Sequence, residues 1–334
     1  MRFITCASYY GTGSSAVTDL VNEYEAVYNF SDFEFRFIHD PDGISDLEYN
    51  LVENHNRHNS GHALKRYKRL VDFNCGVSLA KKYEAFFKGN WKKYSYEYID
   101  SLTDFKYQGH WMYDLYDRGN LYYYSHVLPE KLLKMSVWRN QPDKHIDILK
   151  GEWTLCSDPG EEKFLKLTRE YIEKLFSSVV NGADTIMVDQ LLPPTNLNRY
   201  LRYFSDIKVI IVDRDPRDIW ALEKYYWKTG VIPHDVSTFC KWFRYTRNHR
   251  KKEVFDSEHV LFIQFEDMIY KYDETVKKIE DFLNLSPENH VRKKTSFNPS
   301  KSIHNTKTWM NPIVSKADIS KIETELSEYL YQGF

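Results

Sequence analysis

Residues 209–220 read VIIVDRDPRDIW, an apolar run that ends in Arg214 and Arg217 set among Asp213, Asp215 and Asp218. An arginine at the tip of a buried strand can grip a phosphate through two parallel hydrogen bonds. It can equally be tied down by neighbouring carboxylates. The expectation here is that Arg217 serves the acids and Arg214 a ligand, because anion sites form where strands hand over to helices. Pro216 suits the first turn of the following helix, with Asp215 as its cap.

A second such handover lies near the start, in SYYGTGSSAVTDLV, residues 8–21. Gly11 and Gly13 permit a tight turn, Ser14 and Ser15 can open a helix, and Tyr10, Thr12, Ser14 and Ser15 bring hydroxyls to it. Unpaired N–H groups at a helix start, with the positive end of its dipole, attract phosphate. The Walker pattern needs four residues between its glycines and a following Lys-Ser or Lys-Thr, and this loop has neither. DTIMVD, ending in Asp189, has the look of a Walker B strand.

These residues need a scaffold. Apolar runs suited to buried strands occur at 2–8, 33–39, 184–189, 207–213 and 259–265, and helical patterns at about 14–25, 161–181, 195–204, 217–228, 236–256, 272–284 and 316–331. The alternation predicts an α/β fold of three layers, a central parallel sheet with ligands gathered outside the carboxyl ends of its strands. From 44 to 160 the pattern is charged and aromatic helix without comparable strands. It is expected to be a helical insertion in one domain spanning 1–334, forming a cap on the acceptor side.

Composition narrows the class. With 46 basic and 48 acidic side chains the net charge is near zero, which argues against a general nucleic-acid binder. Cys6, Cys75, Cys156 and Cys240 are too scattered for a zinc or disulfide framework, and no run is apolar enough to span a bilayer. A cytoplasmic protein without a transmembrane segment or metal is expected, and a homo-oligomer is left open. The 26 tyrosines suit either sugar stacking or an aromatic helical surface.

With strand, glycine loop and arginine strand in place, the sequence resembles the sulfotransferases that use 3'-phosphoadenosine-5'-phosphosulfate (PAPS) and release 3'-phosphoadenosine-5'-phosphate (PAP). The family's phosphosulfate loop is similar to Tyr10-Gly11-Thr12-Gly13-Ser14-Ser15, and its Arg-x-Pro-x-Asp, which begins the 3'-phosphate site, to Arg214-Asp215-Pro216-Arg217-Asp218. HVLFIQFEDMIYKYDETVKKIEDFLNL and SKSIHNTKTWMNP resemble its late strand-turn-helix and its basic C-terminal loop. The resemblance covers 1–25 and about 184–331, and implies a P-loop-like nucleotide fold. Two positions depart from it: Gly11 stands where a lysine is usual, and Leu222 where a serine is. Lys301, Ser302 and Lys307, or Lys224, are candidates to replace the missing donors.

Sulfuryl transfer passes through a loose, in-line transition state whose charge fixed donors must meet, and the acceptor needs a base. Asp40 and His39, within FRFIHDPDG, are the first candidates, and Asp189, ending the fourth strand before Gln190, comes after them. His55, His58 and His62 have helical spacing, but Asn59-Ser60-Gly61 is expected to break that helix, and a metal site is disfavoured. Lys65, Arg66, Lys68 and Arg69 could draw an acidic acceptor. The acceptor implied is a hydroxyl or amine of a carbohydrate or glycolipid. The alternatives are a degenerate P-loop kinase or nucleotide hydrolase, and a non-catalytic PAP- or glycan-binding protein of the same fold.

Overall fold

The computed structural model describes residues 1–30, 33–76, 83–146 and 149–334. Among them are strands β1 (Arg2–Cys6), β2 (Tyr28–Asn29), β3 (Phe105–Gln108), β4 (Trp153–Cys156), β5 (Thr185–Asp189), β6 (Ile207–Asp213) and β7 (Val260–Gln264). The chain divides into two compact units, 1–40 with 176–334, and 41–175. The boundary at 175/176 falls within the helix Gly160–Ser177.

The first unit holds a five-stranded parallel sheet in the order β2-β5-β1-β6-β7. Parallel strands need crossovers, and the sequence supplies helices between them. Alternation along β1 assigns the faces. Ile4 and Cys6 join a core with Val17, Leu20 and Val21 of the helix Ser14–Val21 and with Val212 and Phe265. Phe3 turns the other way, edge-on to Phe176 at 5.5 Å and Phe204 at 5.0 Å. Each fully buried apolar side chain of this kind contributes roughly 1.5–3 kcal/mol.

The expected strand at 33–39 is not one. The second strand is the two-residue β2, paired with β5, whereas residues 37–39 form a turn closed by His39 N–H to Arg36 O at 3.0 Å. Residues 31–32 lie outside the described part. Phe35, Phe37 and Ile38 are buried, so the run is apolar because it is core, not because it is sheet. A short apolar run cannot distinguish the two.

The second unit is mostly helical, as expected, but it also contains β3 and β4 in antiparallel register, Phe105 opposite Cys156. The helix Arg57–Phe73 runs unbroken through Asn59-Ser60-Gly61, correcting the expected break. Asn56 caps it, accepting from the N–H groups of His58 and Asn59 at 3.0 Å each. Gly61 has a packing role: a Cβ there would stand 2.1 Å from the Leu155 carbonyl oxygen in β4. Tyrosines fill much of this core. Tyr98 stacks on Tyr171 at 4.5 Å, and the Tyr171 hydroxyl meets Ser95 at 2.7 Å and Tyr67 at 3.2 Å.

Gly61→Ala should therefore cost about 1–3 kcal/mol through overpacking against backbone, although alanine is the better helix former. Urea unfolding measures it; a neutral or stabilised variant would show that β4 can move away.

Candidate functional site

Register places the site. Cys6 lies level with Asp189 on one side and Ile210 on the other, so β6 runs three residues past β1, about 10 Å of extended chain. The chain after β1 follows β6 part of this distance: Ala7 N–H donates to Ile210 O at 3.0 Å, and the Ser8 hydroxyl accepts from Val212 N–H at 3.3 Å. The glycine loop then turns where Arg214 begins.

Gly11 and Gly13 adopt φ of +77° and +99°, where a side chain would be strained. A Cβ on Gly13 would also lie 2.5 Å from the Phe265 ring. At Gly11, a Cβ would be 3.0 Å from Trp227, so this turn is shaped without the lysine of the resembling family. The Thr12 hydroxyl is spent inside the turn, donating to Tyr9 O at 2.8 Å. Gly13 precedes the helix Ser14–Val21 with no side-chain cap, leaving its first turn for backbone donation to an anion. Ser15 is exposed there, and Tyr10 is partly exposed, its hydroxyl 3.0 Å from that of Thr229.

Arg214 is 3% exposed and forms no ion pair among the described residues. Its Nη1 donates to Gly11 O at 3.1 Å, its Nη2 to Asn305 O, and its plane lies 4.4 Å over the Phe265 ring. Nε has no hydrogen-bond partner. Burial lowers its pKa, opposed by the charges of Asp218, Glu266 and Asp215. The adjacent carboxylates are committed elsewhere. Asp213 is clamped by Arg247 at 2.9 Å and Arg250 at 2.6 Å, and Asp215 by Arg217 at 2.7 Å. Asp218 accepts from Lys307 N–H at 3.0 Å and from the N–H and hydroxyl of Thr308, each at 2.7 Å.

Those bonds bring the C-terminal loop to Arg214. Lys307 takes part through its backbone, while its ammonium stands over Tyr270 and Phe334, 5.4 and 4.9 Å from the ring centres. Lys301 is exposed and Ser302 half-buried on the short helix Pro299–Ser302. Lys224 instead donates to His234 O at 2.5 Å, and Leu222 is buried.

The base candidates sit near the same sheet edge. Asp189 is 3% exposed, with the Ser14 hydroxyl 3.4 Å from its Oδ2; Gln190 Nε2 donates to that hydroxyl at 3.1 Å. His39 Nδ1 lies 3.3 Å from Leu191 O, two residues beyond Asp189. Asp40 accepts from Arg36 Nε at 3.1 Å. The histidine trio does not converge: His55 Nε2 meets Ser157 O at 2.9 Å, His58 stacks on Trp111 at 3.8 Å, and His62 approaches Asp117 at 2.7 Å. Among the described residues no group of three or more His, Cys, Asp or Glu is placed to hold a metal ion.

Sequence reasoning gave no role to Glu266, Arg247 or Arg250. Glu266 is fully buried, its Oε1 accepting Asp215 N–H at 2.9 Å and its Oε2 without a partner. Burial pushes its pKa up to about 8. The run FEDM shows an acidic pair after a strand, but nothing in it reveals which carboxyl turns inward.

Residues 125–289, just under half of the chain, match the family model described as "Sulfotransferase family". No curated protein matches significantly. Among solved structures, the chain is similar to a sulfotransferase domain from a Synechococcus PCC 7002 olefin synthase, with 10% identity over 98% of this chain and 94% of that one, and a TM-score of 0.44. A sulfotransferase domain of the curacin biosynthetic pathway gives 14%, 99%, 98% and 0.40 in the same order. Retinol dehydratase, solved with androsterone and the inactive cofactor PAP, gives 14%, 99%, 82% and 0.39. These structural likenesses are too distant to carry an activity from one protein to another.

Glu266 makes stability depend on pH. The folded chain holds its proton to about 8 while the unfolded chain releases it near 4.5, so stability falls as pH rises through that window. Glu266→Gln keeps an acceptor for Asp215 N–H and should gain on the parent between pH 5 and pH 8 in urea unfolding. A constant difference between the two proteins would mean that the carboxyl is already ionised in the fold.

Proposed function

We propose that the chain, whose residues 125–289 match the sulfotransferase family model, transfers the sulfuryl group of PAPS to a hydroxyl or amine of a carbohydrate or glycolipid acceptor. The observation that carries the reading is Arg214: a buried guanidinium that has no carboxylate partner among the described residues, hydrogen-bonded to the glycine loop at the carboxyl edge of a parallel sheet. A buried cation without a counter-ion is costly, and a 3'-phosphate would supply one.

In this reading the N–H groups from Gly13 to Ser15, with the hydroxyls of Ser14 and Ser15, meet the 5'-phosphosulfate. Arg214 meets the 3'-phosphate, and Lys301, Ser302 and Lys307 approach from the C-terminal loop. The acceptor oxygen or nitrogen forms a bond to sulfur as the bond from sulfur to the 5'-phosphate oxygen breaks, and PAP leaves with that electron pair. The acceptor proton passes to a base. Asp189 is favoured by its closeness to Ser14, with His39 and Asp40 as the other candidates. No metal enters the step. The four free cysteines suit a reducing, cytoplasmic setting. The helical unit 41–175 is proposed to recognise the acceptor.

Calorimetry should show PAP binding more tightly than AMP, with Arg214→Ala weakening PAP about 10- to 100-fold, the worth of a charge-assisted hydrogen bond, and AMP much less. Equal affinities for PAP and AMP in the parent would remove the main support. Asp189→Asn should lower transfer from labelled PAPS at least about 100-fold with PAP affinity unchanged, as expected for loss of a base. PAP binding without transfer to any glycan would favour the non-catalytic alternative, and magnesium-dependent ATP binding the kinase or hydrolase.

A further inference from the structure

The unit 41–175 contains a cavity of about 300 Å³, walled by residues of the 42–50 segment, by the start of the helix Arg57–Phe73 and by Trp111 and Tyr113. Its size is at the lower end of small-ligand sites and suits one ring. Two flat apolar faces line it: Trp111 and Tyr113 are 43% and 45% exposed, although most aromatic rings of this unit's core are buried. Both are in contact with histidines that also line the cavity. His58 stacks on Trp111 with ring centres 3.8 Å apart, and the His62 ring meets that of Tyr113 edge-on at 4.7 Å.

The cations expected to draw an acidic acceptor do not leave the wall positive. Arg66 is bidentate on Asp42 at 2.6 and 3.1 Å, and Arg69 lies 2.9 Å from Asp117. Lys65 lies between Asp114 at 2.6 Å and Glu152 at 2.9 Å. Lys68 stands over the Tyr96 ring. What remains toward the cavity is the Asp46 carboxylate, which accepts one N–H, from Asp42 at 2.7 Å, together with amides and imidazoles. An anion would meet repulsion there; a neutral ring with hydroxyls would find aromatic faces and acceptors.

His62 adds a polar ring to the wall. Its Nε2 is 2.7 Å from Asp117 Oδ2 without the alignment of a hydrogen bond. Burial holds the imidazole below its ordinary pKa, against the pull of Asp117 and Asp114, and Arg66 and Lys65 push the same way as burial.

We propose that this cavity binds an uncharged pyranose ring of the acceptor, stacked on Trp111 and Tyr113, with a ring hydroxyl hydrogen-bonded to the His62 imidazole. The term acceptor rests on the sulfotransferase reading; the sugar site does not. Saturation-transfer NMR on the full chain with the methyl glycosides of glucose, galactose and mannose, and with methyl glucuronide, tests it. At least one neutral glycoside should bind, with affinity falling at least fivefold in Trp111→Ala and in His62→Phe, and the uronate should bind at least fivefold more weakly. PAP affinity should be the same in parent and variants, and urea unfolding followed by tyrosine and tryptophan fluorescence should show that the variants are folded. The proposal is overturned if a chain that binds PAP binds none of these glycosides, if binding survives both substitutions, or if the uronate binds as well as the neutral sugar. Absence of PAP affinity would instead count against the sulfotransferase reading and leave the glycoside result to stand alone.

Discussion

The guanidinium of Arg214 is buried in a neighbourhood rich in acid, yet among the described residues no carboxylate pairs with it, and the arrangement of the first unit follows from that allocation. Asp213 is occupied by two arginines of the helix Val236–Arg250, Asp215 by Arg217, and Asp218 by backbone and hydroxyl donors of the C-terminal loop. Each pairing satisfies a charge that would otherwise be costly to bury. Together they leave Arg214 to bond two carbonyls, one on the glycine loop and one on the C-terminal loop. Two chain segments about 300 residues apart are thereby held by one planar cation.

Close packing sets where that cation can lie. Phe265 supports its face, and the same ring abuts Gly13, where no Cβ would fit. The glycine at the helix start is thus required twice, by its backbone angle and by its neighbour. The raised pKa of Glu266 belongs to the same compact region, because burial outweighs the backbone N–H groups and the Arg214 charge that favour the ionised carboxyl.

In the second unit the polar residues serve the fold before they serve any ligand. Its tyrosines form a stacked, hydroxyl-linked core, and its basic helix is largely neutralised within the unit. A charge run that looks like an electrostatic lure in one dimension becomes a set of local pairs in three. The surplus left to the cavity is aromatic surface, amides, imidazoles and the Asp46 carboxylate.

The β-α alternation, the glycine turn and the strand leading to Arg214 were legible from residue order, because chain direction, φ preference and apolar runs are local properties. Those same local properties misjudged residues 33–39 and the helix through Gly61: burial alone makes a run apolar, and a glycine that breaks an isolated helix can be demanded by a strand crossing it. Nor could composition say which of Asp213, Asp215 and Asp218 would claim which partner, or that Lys65, Arg66 and Arg69 would be neutralised. Partners at that distance along the chain meet through packing and sheet register, and a charge is free or spent according to what folding sets beside it.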